Sequence, residues 1–190
     1  MSKTEWKIVQ KDNFFIGVCI TTRGVFGNTV PYRTRVTVEE KIAKYFPESK
    51  VVANYDNESY NGLVEETAEI IYQRWIGKDY LVQNQLPLDY RGYSKKQVQV
   101  LKTCTSVPFG TTLSYGELAA KSGFEGAARF AGTCMAKTRF PILIPCHRIT
   151  RANSLGKYGD DPHMKKVLLE REGIDVINLF RKTRKIISPL

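Results

Sequence analysis

Apolar residues near the start of the chain fall into two short runs that favour β-strands. Residues 5–10 and 13–21 are rich in β-branched and aromatic side chains, and the polar pair Lys11–Asp12 separates them. Two such runs joined by a short polar break predict a β-hairpin. Further along, apolar residues three or four positions apart predict a long helix over residues 58–76.

The other local signals of the first half are a helix start, several turn residues and a linker. The segment 37–46 opens with Thr37 followed by acidic residues, which predicts a capped helix. Residues 86–92, with a proline and a glycine as breakers, are typical of a linker. Turns are predicted at Gly24, Gly27, Asn28 and Pro31. We therefore expect residues 1–92 to form an N-terminal α/β domain, a small sheet plus helices.

The second half has the pattern of several short helices. Residues 94–104 place apolar side chains on one helical face, and Ser114 with Glu117 has the spacing of a capping box that starts another helix. A third helix is predicted over residues 126–137. Two short helices joined by a glycine-containing turn predict a helix-turn-helix, a geometry that also occurs in proteins that never touch DNA. We expect residues 93–190 to form a mainly α C-terminal domain.

Small residues dominate that third helix, and its cations are Arg129 and Lys137. A face of small side chains lets a backbone approach a shallow or narrow groove closely, unlike the long polar side chains that read the major groove. An alanine-rich helix packed inside the protein has the same composition. The composition alone leaves both interpretations open. The small residues are Ala127, Ala128, Ala131 and Gly132.

The net charge of +10 is confined to one half of the chain. Residues 1–92 hold 12 basic and 12 acidic side chains, whereas residues 93–190 hold 17 basic and 7 acidic ones. Charged runs are usually solvated surface, but an excess confined to one half is the expected footprint of a domain that binds a polyanion. Nucleic acid is therefore the favoured partner of the second half.

The cysteines and the apolar runs bear on location. Four cysteines are scattered along the chain without a disulfide framework or a CxxC pair. Neither a signal peptide nor an apolar run of the ~20 residues needed to cross a bilayer is present. We expect a cytoplasmic protein with reduced thiols and no membrane association. The cysteines are Cys19, Cys104, Cys134 and Cys146, and the first three are interpreted as structural.

One cysteine stands in a chemically distinctive context. Cys146 follows an apolar run and Pro145, and His147 and Arg148 come directly after it. Pro145 disfavours helix in the residue before it, which places the cysteine at a junction between a strand and a helix or turn. Nearby cations and helix N-termini stabilise thiolates, so Cys146 is a candidate nucleophile. A buried structural cysteine beside a hydrogen-bonded imidazole is the alternative, and the other histidine, His163, is interpreted as surface.

Five segments of the second half resemble one protein family in order and spacing. They lie within residues 93–173 and read VPFGTTLSYGELA, AARFAGTCMAK, FPILIPCHR, GKY and LLEREG. PILIPCHRI resembles the active-site signature of the O6-alkylguanine-DNA alkyltransferases. The resemblance implies a DNA repair protein that transfers the alkyl group of O6-alkylguanine irreversibly to its own cysteine, in a single turnover. Related proteins that only sense damage carry Trp at that position, whereas this chain has Cys146.

The resemblance also implies the catalytic roles. Cys146 corresponds to the acceptor, and a neutral thiol needs a base to attack a saturated carbon. His147 corresponds to the histidine that acts through a water, and Glu172 to the glutamate that orients it. The residues around Glu172 agree, because Asp161 is a plausible cap for this helix and Gly173 a plausible stop.

Contacts with DNA are implied in the same way. Tyr115 and Arg129 correspond to the pair that flips the damaged nucleotide out of the duplex. Tyr115 presses against the 3′ phosphate and hydrogen-bonds the guanine, and Arg129 fills the vacated stack. The small residues then read as a face for the minor groove. These are Ala127, Ala128, Ala131 and Gly132.

Guanine recognition is assigned to the main chain of Cys146 and Ile149 and to Tyr158 and Gly159. Many relatives have Ser at position 159, so here only a backbone N–H is expected to reach O6. A second departure is Thr138, where relatives carry an Asn that ties the recognition helix to the active-site turn. A hydroxyl offers fewer hydrogen bonds than an amide, which predicts slower transfer or a more mobile junction.

The expected partners and cofactors are few. Some relatives bind zinc through Cys and His in the N-terminal domain, but residues 1–92 hold Cys19 and no histidine, so we expect no metal and no cofactor. The expected partner is double-stranded DNA carrying O6-alkylguanine, bound by a monomer.

A non-catalytic helix-turn-helix binder is the main alternative function. A cysteine hydrolase using Cys146 lacks an identifiable oxyanion site, and the basic segment 181–185 either touches DNA or is disordered.

Overall fold

Residues 4–80, 86–159 and 161–180 are described by the computed structural model of this protein. The chain divides into two units. The first comprises Met1–Gly92 and Arg139–Leu143, and the second comprises Tyr93–Thr138 and Ile144–Leu190. The expected linker therefore ends where the first unit ends, but a short piece of the second half belongs to the first unit. The basic segment 181–185 lies outside the described residues.

A four-stranded sheet with the order β3-β2-β1-β4 forms the first unit together with two helices. The predicted hairpin is confirmed, because β1 and β2 pair antiparallel and Asp12 in the turn has a left-handed φ of 48°. The edge strand β4 runs parallel to β1 and is too short to leave a periodic signal. The strands are β1 (Glu5–Lys11), β2 (Phe14–Thr21), β3 (Gly24–Asn28) and β4 (Lys50–Val52).

Strand β3 corrects the prediction of turns at Gly24, Gly27 and Asn28. Gly27 pairs with a residue of β2, and a Cβ at this position would lie 3.2 Å from the Trp6 ring. Close packing against a neighbour requires glycine here within a strand. The predicted linker is also partly paired, since the N–H of Val25 donates to a carbonyl of residues 86–92 at 2.8 Å.

Both predicted helices of the first unit are present. Helix α1 spans Arg35–Tyr45, and its N-cap is Thr34 rather than the expected Thr37. Helix α2 spans Glu58–Trp75 and buries one face against the sheet. One core cluster of this unit consists of Trp6, Ile8, Cys19, Val38 and Ile42.

Short helices and one two-stranded sheet form the second unit. Capping boxes begin both α3, at Ser94 with Gln97, and α4, at Ser114 with Glu117. The predicted fold class, an α/β first part followed by a mainly α second part, is confirmed. The elements are α3 (Lys95–Thr105), β5 (Leu113–Ser114), α4 (Tyr115–Lys121), α5 (Ala128–Ala136), a 3-10 helix (Cys146–Arg148), β6 (Ile149–Thr150), α6 (Pro162–Arg171) and α7 (Val176–Leu179).

The small sheet of the second unit joins two segments that are far apart in sequence. Leu113 pairs with Ile149 and Ser114 with Thr150, in parallel. Strand β5 leads directly into α4, and β6 directly follows the 3-10 helix. The pairing therefore sets the start of α4 beside the segment that contains Cys146.

Neither a membrane-crossing helix nor a metal cluster is found in the described part of the chain. None of its helices is both long and apolar enough to cross a bilayer. No group of three or more His, Cys, Asp or Glu side chains among the described residues is arranged to hold a metal ion.

Candidate active site

The chain approaches Cys146 through a strained turn. Ile142 has a left-handed φ of 71°, an uncommon conformation for a β-branched residue. The backbone N–H of Cys146 then donates to the Ile144 carbonyl oxygen at 2.7 Å. The backbone N–H of Arg148 donates to the Pro145 carbonyl oxygen at 2.9 Å. The cysteine therefore starts a 3-10 helix directly after a turn, in line with the junction expected from Pro145.

The sulfur of Cys146 lies in a largely closed environment. Cys146 is 7% exposed as a whole residue, so its side chain lies in a largely buried position. Burial raises the pKa of Cys146 to about 11, although Lys165, the Tyr158 hydroxyl and the backbone N–H groups of Cys146 and His147 oppose this rise. The resting sulfur is therefore a neutral thiol, and a reaction at this atom requires removal of its proton.

His147 is arranged to take up a proton. Its Nε2 lies 2.7 Å from Oε1 of Glu172, and both residues are buried. Burial lowers the pKa of His147, against the raising effect of Glu172, so the imidazole is neutral near pH 7. With the Nε2 proton assigned to the bond with the carboxylate, Nδ1 keeps its lone pair. Nδ1 is buried and has no hydrogen-bond partner among the described residues.

Glu172 is held as an anion by a second residue. The Arg148 guanidinium donates from Nε to Oε2 and from Nη2 to Oε1 of Glu172, each at 2.9 Å. Burial alone would raise the pKa of Glu172, but hydrogen bonds from His147 and Arg148 lower it to about 2. Arg148 is fixed in turn by the Val107 carbonyl at 2.7 Å. The sequence alone indicates Arg148 only as a cation near Cys146.

Lys165 is a site residue that sequence analysis missed. It lies on α6, fully buried, and its Nζ donates to the carbonyl oxygen of Ile149. Burial lowers the pKa of Lys165 to about 8, against the opposite effect of Cys146 and Cys104. A signal was present, because Lys165 precedes the buried residues 168 and 169 at helical spacing and therefore shares their inward face.

Tyr115, the first residue of α4, lies beside this group. Its ring is 5.8 Å from the Lys165 ammonium, and burial raises the pKa of its phenol. Two glycines lie against the ring, since a Cβ at Gly132 would be 3.8 Å from it and a Cβ at Gly156 would be 3.5 Å from its hydroxyl. Both are ordinary van der Waals distances, so Gly132 and Gly156 neighbour Tyr115.

Helix α5 has an exposed side and a buried side. Arg129 is exposed, and Ala127, Ala128 and Gly132 are partly exposed. Ala131 is fully buried and faces the interior together with other apolar residues of the helix, so the prediction that it lies on a groove-facing surface is wrong. Composition left open whether this helix faces a groove or packs inside the protein. In the structure one face is exposed and the opposite face is packed inside.

The predicted guanine-binding residues differ in accessibility. Tyr158 is partly buried, with its ring 6.4 Å from the His147 ring and perpendicular to it. Ile149 is fully buried, so only its main chain is available, and Lys165 already uses its carbonyl oxygen. Gly159 is exposed with a φ of 48°, a left-handed conformation that favours glycine.

The remaining cysteines and histidine match their structural interpretation. Burial raises the pKa of Cys19, Cys104 and Cys134, and all three are buried free thiols. His163 is exposed, and its N–H donates to the Asp161 cap at 2.9 Å.

Comparison with known proteins identifies relatives over most of the chain. A family model described as the DNA-binding domain of 6-O-methylguanine DNA methyltransferase matches residues 95–174. A methylated-DNA–protein-cysteine methyltransferase of Methanocaldococcus jannaschii is 30% identical over 175 residues, which cover 90% of this chain and 95% of the relative. Another from Methanothermobacter thermautotrophicus is 40% identical over 90 residues, 47% of this chain and 50% of the relative.

Solved structures agree with this result. The structure of an O6-methylguanine DNA methyltransferase from Methanococcus jannaschii is 28% identical, with a TM-score of 0.59 over 88% of this chain and 93% of that one. The structure of Mycobacterium tuberculosis OGT in complex with DNA is 23% identical, with a TM-score of 0.65 over 93% and 99% of the two chains, and shows the same fold. The chain belongs to the methylated-DNA–protein-cysteine methyltransferase family.

Proposed function

We propose that this protein repairs O6-alkylguanine in double-stranded DNA by moving the alkyl group to the sulfur of Cys146. The relatives named above are methylated-DNA–protein-cysteine methyltransferases. We assign the acceptor role to Cys146, which follows Pro145 and precedes His147. The observation that carries the proposal is the buried chain of contacts from Glu172 to His147, with the imidazole Nδ1 left as an acceptor. This arrangement supplies a base to a thiol that is neutral at rest.

In the reaction, the bond between Sγ and the alkyl carbon forms as the bond between that carbon and guanine O6 breaks. The thiol proton passes through a water to Nδ1 of His147, and guanine gains one proton in the net reaction. Charge that develops on the sulfur is stabilised by Lys165 and by two backbone N–H groups. Because atoms and protons balance without another reagent, no cofactor is required. The thioether product leaves no thiol for a second turnover.

Access to the target requires the damaged nucleotide to leave the base stack. We assign this base flipping to Tyr115, which contacts the phosphate and the guanine, and to Arg129, which fills the gap. Helices α4 and α5 act as a helix-turn-helix, with Ala127, Ala128 and Gly132 facing the minor groove. The exposure of Arg129 and the small side chains around it support this assignment.

We assign separate roles to the two parts of the chain. Residues 1–92 act as a support domain, and residues 93–190 bind DNA and carry out alkyl transfer. We assign guanine recognition to the main chain of Cys146 and Ile149 and to Tyr158 and Gly159. The Ile149 carbonyl would accept guanine as a second partner beside Lys165. We assign this activity to a monomer in the cytoplasm.

Intact mass spectrometry after incubation with a duplex that carries O6-methylguanine tests the proposal. The expected result is one added methyl group per protein molecule, located on the peptide that contains Cys146. Cys146→Ser is the matched control, since it should still bind the duplex without gaining mass. Binding by the wild-type protein without any transfer would instead favour the non-catalytic binder.

A further inference from the structure

The segment that leads to the active-site turn is bound to the first unit at alternate carbonyl groups. The Arg139 oxygen accepts from the backbone N–H of Asn28 at 2.9 Å. The Pro141 oxygen accepts from Asn28 Nδ2 at 2.8 Å, and the Leu143 oxygen accepts from Arg74 Nη1 at 3.3 Å. Residues of β3 and α2 therefore hold three successive odd-numbered positions of Arg139–Leu143.

The side chain of Arg139 adds a second set of bonds to the same unit. Its Nε donates to the Phe26 carbonyl at 3.0 Å, and its Nη2 donates to the carbonyls of Asp89 at 3.0 Å and Arg91 at 2.8 Å. The guanidinium also lies 4.2 Å from the centre of the Phe26 ring. The Arg139 guanidinium thus joins the segment to β3 and to residues 86–92.

Residues 86–92, which accept the bonds from Arg139, are held in place by hydrogen bonds of their own. The buried Asp89 carboxylate accepts from Thr21 at 2.7 Å and from Arg91 Nε at 2.7 Å. Burial alone would raise the pKa of Asp89, but these hydrogen bonds and the Arg91 charge lower it. The carbonyls that receive the Arg139 guanidinium therefore belong to a fixed part of the sheet edge.

Only a short and stiff connection separates this anchor from the reactive sulfur. Ile144 and Pro145 are the residues between Leu143 and Cys146, and the proline ring fixes its own φ. Each residue spans at most ~3.6 Å, and the chain has two soft dihedral angles per residue. Ile144 is fully buried, which removes further freedom. Few rotatable bonds therefore separate the anchored segment from Cys146.

We propose that Arg139 and Asn28 are positioning residues for alkyl transfer, because they anchor the segment that orients the Cys146 sulfur. This inference rests on the proposed function and gives the first unit a defined part in it.

The test compares Arg139→Ala and Asn28→Ala with the wild-type protein in single-turnover transfer from a duplex with O6-methylguanine. The first-order transfer constant at saturating DNA is expected to fall at least about 10-fold, since misplacing a nucleophile by 1 Å costs up to 10²-fold. The Kd for the duplex, measured in the Cys146→Ser background, is expected to stay within about twofold because phosphate contacts dominate affinity.

Tyr55→Phe is the control for a general loss of stability. The Tyr55 hydroxyl bonds to Ile20 and Glu5 in the same unit, away from Arg139–Leu143. This variant should keep the wild-type transfer constant even when its thermal unfolding temperature falls as far as that of Arg139→Ala. Should Arg139→Ala fail to fold, Arg139→Lys takes its place, with an intermediate loss expected because an ammonium lacks the planar fork.

The outcomes separate the two proposals. Wild-type protein that transfers no methyl group contradicts the proposed function itself. A wild-type protein that transfers normally, with unchanged constants in the Arg139 and Asn28 variants, overturns the positioning role. The positioning role is also overturned if Tyr55→Phe slows transfer as much as the Arg139 and Asn28 variants do. It is overturned as well if those variants weaken DNA binding, measured by Kd, without slowing transfer.

Discussion

His147 and Glu172 are 25 residues apart in sequence, and their side chains meet at 2.7 Å between Nε2 and Oε1. The same carboxylate receives two nitrogens of Arg148. One anion therefore fixes both residues that follow Cys146, and it does so from the end of α6. The orientation of the imidazole depends on a charge that stays in place down to acidic pH.

Glu172→Gln tests this dependence. The amide keeps the size of the side chain but loses the charge and one acceptor, so the imidazole loses its fixed orientation. The transfer constant should fall roughly 10²-fold, a typical contribution of general base catalysis. Single-turnover assays measure it, with Glu170→Gln as the control because Glu170 is exposed and pairs only loosely with Lys166 at 3.7 Å. Equal rates for the two variants would contradict the role of Glu172.

The transfer rate should follow a bell-shaped pH profile. Burial lowers the pKa of His147 below its ordinary value of 6.5, so the rate should fall only at acidic pH, where the imidazole is protonated. Burial lowers the pKa of Lys165 to about 8, so the rate should fall again above this pH as the stabilising charge is lost. Rates at saturating DNA across this range provide the measurement.

Lys165→Met isolates the alkaline limb of that profile. Methionine approximates the buried volume of the lysine stem without the charge, so this variant should be slower near neutral pH and lack the decline above pH 8. A decline that persists in Lys165→Met would assign it to another group.

Acid should destabilise the protein through Glu172. The pKa of this carboxyl is lowered from 4.5 to about 2 in the folded state, so its stabilising contribution is present above pH 4.5 and is lost as the pH falls towards 2. The loss amounts to roughly 3 kcal/mol by linkage. Urea unfolding at several pH values measures it, and Glu172→Gln should have a flatter dependence than the wild-type protein across this window.

Arg129→Ala should impair transfer selectively on duplex DNA. A flipped base leaves a gap in a double helix but none in a flexible single strand, so the filling side chain matters only for the duplex. The ratio of duplex to single-strand transfer rates should fall about 10-fold or more if Arg129 fills that gap, a barrier increase of roughly 1.4 kcal/mol. Lys121→Ala, which removes another exposed cation of the second unit, should leave that ratio unchanged.

Thr138→Asn should raise the transfer constant. An amide would add the paired donor and acceptor that the family resemblance implies at this position. The gain should be larger in the Arg139→Ala background, where the neighbouring anchor is missing, than in the wild-type protein. Unchanged rates in both backgrounds would show that position 138 does not limit transfer here.

Local signals explain what could be predicted of the fold. The β1–β2 hairpin, α2 and the capping boxes at Ser94 and Ser114 depend on residues within a few positions of each other. Strand β3 was missed because its glycines fit a sheet only through contacts such as that of Gly27 with Trp6. The paired strands β5 and β6, two residues each, give no periodic pattern at all.

The site shows the same division. Family resemblance identified Cys146, His147 and Glu172, which meet in the folded chain. It did not reveal Lys165, because a buried lysine contradicts the usual exposure of this residue type and becomes intelligible only beside a thiol and a carbonyl. The resemblance also assigned Ala131 to the groove-facing surface. The composition of a short helix of small residues does not distinguish its two faces and so could not correct this.

The return of Arg139–Leu143 to the first unit bears on how the polypeptide matures. A fragment ending at Gly92 would lack the carbonyls that Asn28 and Arg74 use, and would leave part of one sheet edge without its partner. A fragment starting at Tyr93 would contain the same carbonyls but would lack the Asn28 and Arg74 groups that donate to them. During synthesis, the amino-terminal sheet therefore lacks these hydrogen bonds until Leu143 has emerged from the ribosome.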